Sequence, residues 1–141
     1  MLTVQDLGEE QSTKLNLSCN FPWLLTNVTL VDGNQIAGTI PFTIVERFGW
    51  KIGIISIAEQ DWITTLSCFD EDDILFEDIV ASTEKWSKYL REEQGCNFII
   101  ALTHMRVPND ILLAQETTGV DIFLGGHDHV SPMPLILDLP P

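Results

Sequence analysis

Positive charge is scarce in this chain of 141 residues. Seven lysines and arginines stand against 21 aspartates and glutamates, which gives a formal net charge of −14 at pH 7. Nucleic acids and anionic membranes are polyanions, so this negative excess argues against both as partners. A small anionic substrate stays open, because a bound metal ion can reverse the local field.

Long apolar runs are missing as well. No segment approaches the roughly 18 consecutive apolar residues that a membrane-spanning helix needs. The first residues, MLTVQDLGEEQSTKLNLS, contain neither the basic stretch nor the apolar core of a signal peptide. We therefore expect no membrane span and no signal peptide in this chain, and the sequence favours the cytoplasm.

Cysteine is too sparse and too widely spaced to organise the fold. Cys19, Cys68 and Cys96 form neither an even-numbered disulfide framework nor a Cys-x-x-Cys zinc site. We expect buried thiols in a reducing compartment. Hydrophobic residues make up 45% of the chain, which is enough for the core of one ordinary domain.

Composition divides the chain into three regions. Residues 1–18 are polar without a clear period, and we expect a loose lead-in. Residues 131–141 contain four of the seven prolines and are expected to form a Pro-rich tail. The domain itself is expected to occupy residues 19–130.

The front of this domain reads as β-structure. Residues 21–30, FPWLLTNVTL, are rich in β-formers and predict a strand. A turn is expected at residues 32–34, Asp-Gly-Asn. Residues 36–50 alternate loosely, as a half-buried strand or hairpin does, and Pro41 favours an edge position there.

The back of the domain alternates between strands and helices. A helix is predicted for residues 79–94, with Asp78 as its cap and Gly95 at its end. A second helix is predicted from residue 108 or 109 to 116. Buried strands are expected on either side of each helix, at residues 51–58, 96–103 and 120–126. This strand-helix-strand-helix-strand order predicts an α/β fold with a mainly parallel sheet.

Acidic side chains crowd the segment SCFDEDDILFED, residues 67–78. A calcium site is the functional interpretation, but the spacing lacks the glycine and the terminal glutamate of an EF-hand loop. We expect a solvated surface loop. A calcium-responsive module stays open as an alternative.

All three histidines of the chain follow predicted strands. His104 comes after the strand at 96–103, and His127 and His129 come after the strand at 120–126. Functional sites gather at the carboxyl ends of parallel strands, and neutral imidazole is a common ligand of zinc, manganese and iron. We predict that these histidines bind metal, against the alternative that they only make hydrogen bonds in loops.

The residues around the second histidine pair support this interpretation. Gly125 and Gly126 are expected to let the backbone approach closely and to adopt positive φ. Asp128 is expected to point away from the metal, to solvent or as an acceptor behind a ligand.

Two segments together, FIIALTHMRVPND (residues 98–110) and GVDIFLGGHDHV (residues 119–130), resemble a known family. They look like the carboxyl half of the calcineurin-like metallophosphoesterase domain, close to its 5′-nucleotidase branch. The segments NFPWLLTNV and KIGIISIAEQDWITTL match the order of segments in that branch. The resemblance spans roughly residues 19–130.

The resemblance implies a double-sheet α/β/β/α sandwich with a two-metal site. It implies that His104 and His127 bind the second metal and that His129 binds the first. The implied activity is hydrolysis of a small phosphate ester, directed at nucleotides, with Mn, Zn and Fe all open. Two ions about 3.5–4 Å apart hold the phosphoryl oxygens and activate water for in-line attack.

The upstream motifs of that family, Asp-x-His, Gly-Asp-x-x-Asp and Gly-Asn-His-Asp/Glu, do not occur in this sequence. No histidine precedes His104, so the catalytic histidine of the family has no counterpart here. Two unit charges ~4 Å apart repel each other by about 4 kcal/mol at an effective dielectric of 20, and two dications repel each other about four times as strongly. No bridging carboxylate is available here to offset this repulsion. We expect one weakly bound ion, a truncated domain, and self-association through an unpaired sheet edge.

Other residues near the histidines have two interpretations. Arg106, two residues after His104, is the expected substrate-binding residue because arginine pairs with phosphate oxygens, although a surface arginine balancing the acidic excess is an alternative. Asn109 and Asp110 are expected to cap the following helix. The four tryptophans are expected in the core or hairpin. For the whole chain, the alternative to a hydrolase is a non-catalytic metal-binding or interaction remnant of the same fold.

Overall fold

The computed structural model of the chain describes residues 9–64 and 71–128. In chain order the helices and strands are α1 (Glu9–Ser18), β1 (Val28–Leu30), β2 (Phe42–Arg47), β3 (Trp50–Ala58), α2 (Gln60–Thr64), β4 (Ile74–Phe76), α3 (Ile79–Glu92), β5 (Phe98–Met105), α4 (Val107–Glu116) and β6 (Ile122–His127). The predicted α/β fold is confirmed. The elements β3, α3, β5, α4 and β6 follow the predicted strand-helix-strand-helix-strand order, but the short α2 and β4 lie between β3 and α3. The predicted tail at 131–141, together with Cys68, Asp70 and His129, lies outside the described residues.

A four-stranded mixed sheet has the strand order β2-β3-β5-β6. β2 is antiparallel to β3, whereas β3, β5 and β6 are mutually parallel. The parallel register pairs Ala58 with His104 and His104 with Gly126. The carboxyl ends of three strands therefore meet at one edge of the sheet.

The strands β2 and β3 form a hairpin at one side of this sheet. Phe48 and Gly49 turn the chain with φ values of +52° and +83°. Pro41 directly precedes β2, which is the outer strand, so the missing amide N–H of proline does not interrupt the interior of the sheet. The expected edge position is confirmed, and a hairpin is present, but it spans residues 42–58, whereas residues 36–38 of the predicted stretch 36–50 form a 3-10 turn.

The main core lies between the sheet and the helices α3 and α4. The fully buried side chains Ile55, Ile57 and Ile99 on the strands pack with Leu90 of α3 and Leu113 of α4. Complete burial of one such aliphatic side chain is worth about 1.5–3 kcal/mol. β3 and β5 are the inner strands of the sheet and pack against α3 and α4. This burial explains why their sequences are almost entirely apolar.

Helix α3 follows its sequence signals closely. One carboxylate oxygen of Asp78 accepts hydrogen bonds from the amides of Val80 and Ala81, both at 3.0 Å. The predicted cap is therefore confirmed. The helix ends at Glu92, and Gly95 adopts a φ of +66° just beyond it.

Three further segments differ from the expectations. Glu9–Ser18 form α1, although their sequence shows no clear period. Only Val28–Leu30 of the predicted strand at 21–30 is regular, because it pairs with a single short partner, β4. That partner, Ile74–Phe76, lies inside the expected acidic loop, whose apolar residues Ile74 and Phe76 pack on the protein rather than face water.

The sheet face opposite α3 and α4 is partly open. Leu102 of β5 and Leu124 of β6 are neighbours in the parallel register. Their exposed fractions are 37% and 48%, and that of Ile122 is 40%. These three side chains, called the open apolar strip below, lie beside the outer edge of β6, with which no strand of residues 9–64 and 71–128 pairs.

Within residues 9–64 and 71–128, no helix has the length and apolar character needed to cross a bilayer.

Candidate functional site

The candidate site lies where β3, β5 and β6 end at their carboxyl termini. Glu59 follows β3, His104 lies near the end of β5, and His127 is the last residue of β6. The parallel register brings the three positions to one edge, although 68 residues of chain (127 minus 59) separate the first from the last. This is the edge at which the sequence predicts a site.

His104 and His127 are in direct contact. Nδ1 of His127 lies 3.2 Å from Nε2 of His104, and the ring centroids are 5.0 Å apart. The register places His127 opposite Met105, so regular alternation would direct the two histidines to opposite faces of the sheet. His127 instead has a φ of +98°, and its ring lies beside His104.

The expected positive φ at the glycines is wrong. Among the described residues, Gly125 and Gly126 are absent from those with positive φ, and His127 has this conformation instead. The expected close approach does hold at Gly125. A Cβ atom there would lie 2.9 Å from Oδ2 of Asp110, so the glycine makes room for a carboxylate rather than for a turn.

The distance between the two imidazole nitrogens is compatible with a shared metal ion. Zinc binds histidine nitrogen at about 2.0–2.1 Å. Two nitrogens 3.2 Å apart therefore subtend an angle of about 100° at such an ion, close to tetrahedral. Without an ion, the same distance suits a hydrogen bond in which one ring donates to the other.

The environment of His104 favours its neutral form, which is the form that binds metal. Burial lowers the pKa of His104, nearby His127 lowers it further, and the Glu59 carboxylate acts in the opposite direction. The Trp62 ring lies against the imidazole, with centroids 5.6 Å apart. Trp62 therefore packs at the site, whereas Trp86 packs in the core against Phe42 as expected.

Glu59 is a site residue that the sequence reasoning missed. Its exposed fraction is 4%. Its Oε2 accepts hydrogen bonds from the backbone amide of Arg106 at 3.1 Å and from Nδ2 of Asn109 at 2.7 Å. The available signal was its position as the first charged residue after a buried strand, at the edge where His104 also lies.

The carboxylate of Asp128 binds the start of α4. Its Oδ2 accepts a hydrogen bond from the backbone amide of Val107 at 2.8 Å. Val107 is the first residue of α4, so a carboxylate from the end of β6 satisfies one of the free amides at the start of that helix. The negative charge there also matches the helix dipole.

The expected capping by Asn109 and Asp110 is wrong. The cap position of α4 is Arg106, which makes no side-chain capping bond. Asn109 binds Glu59 instead, and Asp110 accepts a hydrogen bond from Oγ1 of Thr103 at 2.6 Å. Burial raises the pKa of Asp110, the Thr103 hydroxyl lowers it, and Asp128 and Glu59 raise it further.

Arg106 lies at the same edge and is largely solvent-accessible. Its side chain is 61% exposed, and its Nε is 3.7 Å from Oε1 of Glu59. An exposed ion pair at this distance contributes little to stability. The guanidinium is thus anchored loosely on one side and open to solvent on the other.

The described residues supply two nitrogen ligands and no complete metal centre. Between residues 9 and 64 and between 71 and 128, no group of three or more His, Cys, Asp or Glu side chains is arranged to hold an ion. Three carboxylates around the segment that follows His104 each accept hydrogen bonds from other partners, and they belong to Glu59, Asp110 and Asp128. His129 lies outside the described residues, so its role stays a prediction.

Comparison with known proteins points to one group of enzymes. The trifunctional nucleotide phosphoesterase protein YfkN of Bacillus subtilis is 33% identical over 93 residues, which cover 66% of this chain and 6% of that protein. The NAD 5′-nucleotidase of Haemophilus influenzae is 31% identical over 126 residues, covering 88% of this chain and 20% of that protein. No family model matches the chain.

Solved structures agree with the sequence matches. The Haemophilus influenzae NAD nucleotidase superposes with a TM-score of 0.73 and 28% identity over 88% of this chain and 24% of its own. A 5′-nucleotidase precursor from Thermus thermophilus gives a TM-score of 0.76 with 26% identity, over 86% of this chain and 24% of its own. YfkN, described as a calcineurin-like phosphoesterase, shares the fold with a TM-score of 0.65. The chain spans at most about a fifth of the length of the two curated relatives.

Proposed function

We propose that this chain, which belongs to the 5′-nucleotidase branch of the calcineurin-like phosphoesterases, supplies part of a metal-dependent site for hydrolysis of a nucleotide phosphate ester. The proposed metal ligands are His104, His127 and His129, and the proposed substrate-binding residue is Arg106. A divalent ion held there would supply the positive charge that polarises a phosphate ester and activates water. Mn, Zn and Fe all accept histidine ligands.

The contact between His104 and His127 carries this proposal. Two imidazoles from different strands converge to 3.2 Å at the carboxyl edge of the sheet. The lowered pKa of His104 keeps its ring neutral near pH 7. A neutral ring next to a second ring is ready to share an ion without first losing a proton.

Arg106 suits the role of a phosphate contact. Arg106 follows His104 by two residues and lies at the same edge of the sheet. Its side chain is 61% exposed. The guanidinium can pair with two phosphate oxygens at once. In a chain with a net charge of −14, a cation at this edge also reduces the repulsion of an anionic substrate.

We propose that the chain alone holds one ion weakly. The carboxylates that a second ion would need are bound elsewhere, since Glu59 contacts Arg106 and Asn109, Asp110 contacts Thr103, and Asp128 contacts Val107. The remaining ligands and the catalytic histidine of the family would come from further protein segments.

The open apolar strip of Leu102, Ile122 and Leu124 supports self-association of the chain. It adjoins the outer edge of β6, and an unprotected edge strand is a template for pairing with another chain. The proposed partner is a second copy of the chain, because that copy exposes the same apolar strip and the same edge strand.

A second candidate function is a non-catalytic metal-binding or interaction domain. The observation in its favour is that the described residues bring only two nitrogen ligands together and no third group. This candidate predicts metal binding without turnover.

Phosphate release from 5′-AMP by the purified chain, with Mn²⁺ or Zn²⁺, separates the two candidates. His127→Ala is the test variant and Asp72→Ala, an exposed residue outside the site, is the control. Turnover that disappears only in His127→Ala supports the hydrolase. Metal binding without turnover in a folded preparation supports the non-catalytic domain, and absence of both overturns the metal site.

A further inference from the structure

The segment that joins β5 to α4 is held from two sides by carboxylates. Consecutive backbone amides, those of Arg106 and Val107, donate hydrogen bonds to Glu59 and Asp128 respectively. Glu59 comes from the end of β3 and Asp128 from the end of β6, which are the two strands that flank β5. The residues between His104 and α4 are therefore fixed to both neighbouring strands.

Glu59 makes the larger share of these contacts. Its Oε2 accepts from the amide of Arg106 and from the side chain of Asn109 in the first turn of α4, and its Oε1 lies near Nε of Arg106. Its own amide donates to the carbonyl of His104 at 3.3 Å. One buried residue thus contacts this segment at three places: its backbone amide binds the carbonyl of His104, and its side chain binds Arg106 and Asn109.

The position of Glu59 is itself fixed. The residue before it, Ala58, donates its amide to Oδ1 of Asn27 at 3.0 Å and accepts from Nδ2 of the same residue at 2.9 Å. Asn27 is 1% exposed. These hydrogen bonds hold the end of β3 in place directly before Glu59. They act beyond Ile55, the last residue of β3 that pairs with β2.

A buried carboxylate is costly unless its oxygens are satisfied. The contacts to Arg106 and Asn109 satisfy Glu59, and all of them lie on one short segment. A hydrophobic side chain at this position would leave the backbone amide of Arg106 and Nδ2 of Asn109 without this acceptor. The carboxylate therefore fixes the backbone that carries Arg106, and its Oε1 lies 3.7 Å from Nε of that residue, an ion-pair distance rather than a hydrogen bond.

We propose that Glu59 is a positioning residue: it fixes the backbone at Arg106, so that the exposed guanidinium is placed to reach a phosphate bound beside His104 and His127. The placement of the Arg106 backbone follows from the hydrogen bonds above, whereas its use on phosphate rests on the proposed function. Residues that support a metal ligand change affinity by about 10–100-fold when they are removed, and we expect a loss at the lower end of that range here.

The placement is tested first without any ligand. The rate of hydrogen exchange at the backbone amide of Arg106 is measured by NMR in the 141-residue chain, in Glu59→Gln and in Glu92→Gln, an exposed glutamate on α3 that serves as the matched control. We expect this exchange to quicken in Glu59→Gln, because a neutral amide oxygen is a weaker acceptor than a carboxylate, and to stay unchanged in Glu92→Gln. Equal exchange in the wild-type chain and Glu59→Gln would overturn the proposal. Should Glu59→Gln not fold, Asn109→Ala, which frees one partner of Oε2, is expected to quicken the same exchange, and no change there has the same meaning.

The second test connects the placement with binding. Binding of 5′-AMP in the presence of Mn²⁺ is measured for the wild-type chain, Glu59→Gln, Arg106→Ala and the double variant. We expect Glu59→Gln to weaken binding about tenfold, and we expect no further loss when it is added to Arg106→Ala, because both changes then remove the same interaction. Independent, additive losses would contradict the positioning role. A wild-type chain that orders Arg106 but does not bind 5′-AMP would refute the proposed nucleotide function while leaving the placement by Glu59 intact.

Discussion

Nε2 of His104 and Nδ1 of His127 are 3.2 Å apart, although 23 residues of chain separate the two histidines. The parallel pairing of β5 and β6 brings their backbones together, and the φ of +98° at His127 accompanies the departure of its ring from regular strand alternation. Backbone strain of this kind persists where the surroundings enforce it, and it is common at functional sites. If both rings bind the same ion, a change of either histidine should alter metal binding.

Loss of either imidazole is expected to weaken metal binding. His104→Ala and His127→Ala each remove one of the two convergent nitrogens, so the affinity for Zn²⁺ should fall by at least about tenfold, the loss seen even for residues that only support a ligand. Isothermal titration at pH 7 measures this. Asp72→Ala, in the exposed turn before β4, is the control and should bind like the wild-type chain. Unchanged affinity in both histidine variants would remove these residues from the ligand set.

The strained backbone at His127 is expected to reduce stability in the absence of metal. Glycine adopts positive φ freely, whereas alanine does not. In EDTA, His127→Gly should therefore be more stable than His127→Ala by about 1 kcal/mol, after the entropic cost of glycine is subtracted from a strain of 1–3 kcal/mol. Urea unfolding of the two variants gives the difference, and both lack the imidazole, so metal binding does not enter. Equal midpoints would mean that residue 127 relaxes to an ordinary φ.

Asp110 is expected to destabilise the fold at neutral pH. Its pKa is raised chiefly by burial, so the folded state binds a proton more readily than the unfolded chain does. The cost of ionising it is fully present above the raised pKa and disappears as the pH falls below the ordinary value of the unfolded chain. Asp110→Asn keeps an acceptor for Thr103 and should melt higher than the wild-type chain at pH 7.

The pH dependence distinguishes this cause from a change in packing. Thermal unfolding of both proteins between pH 7 and pH 4 should show the advantage of Asp110→Asn shrinking as the pH falls. The favourable interaction of an ionised Asp110 with the amino end of α4, worth about 0.3–1 kcal/mol, acts in the opposite direction. A wild-type chain that melts higher at pH 7 would mean that this helix interaction outweighs burial.

The topology and the location of the site were predictable from the sequence, whereas the details at the site were not. Apolar runs, the cap at Asp78 and the glycine at residue 95 carry local signals, and His104 and His127 follow from the rule that sites gather where parallel strands end. The contact of Glu59 with Arg106 spans 47 residues, and no local pattern encodes such a pairing. No sequence signal indicates the positive φ at His127 either, because the neighbouring Gly126 adopts positive φ more readily than histidine does.

The open apolar strip is expected to drive self-association of the chain. Leu124, 48% exposed on β6, lies beside the outer strand edge, and a charge on an edge strand opposes pairing because it would have to be buried. Leu124→Lys should therefore shift the chain toward the monomer, as measured by light scattering across a concentration series. Leu17→Lys, which changes a side chain that is 81% exposed on α1, adds the same charge away from the edge and should leave the association unchanged. A wild-type chain that stays monomeric at all concentrations would show that the exposed edge of β6 is tolerated, and equal effects of the two variants would assign any association to net charge rather than to this strip.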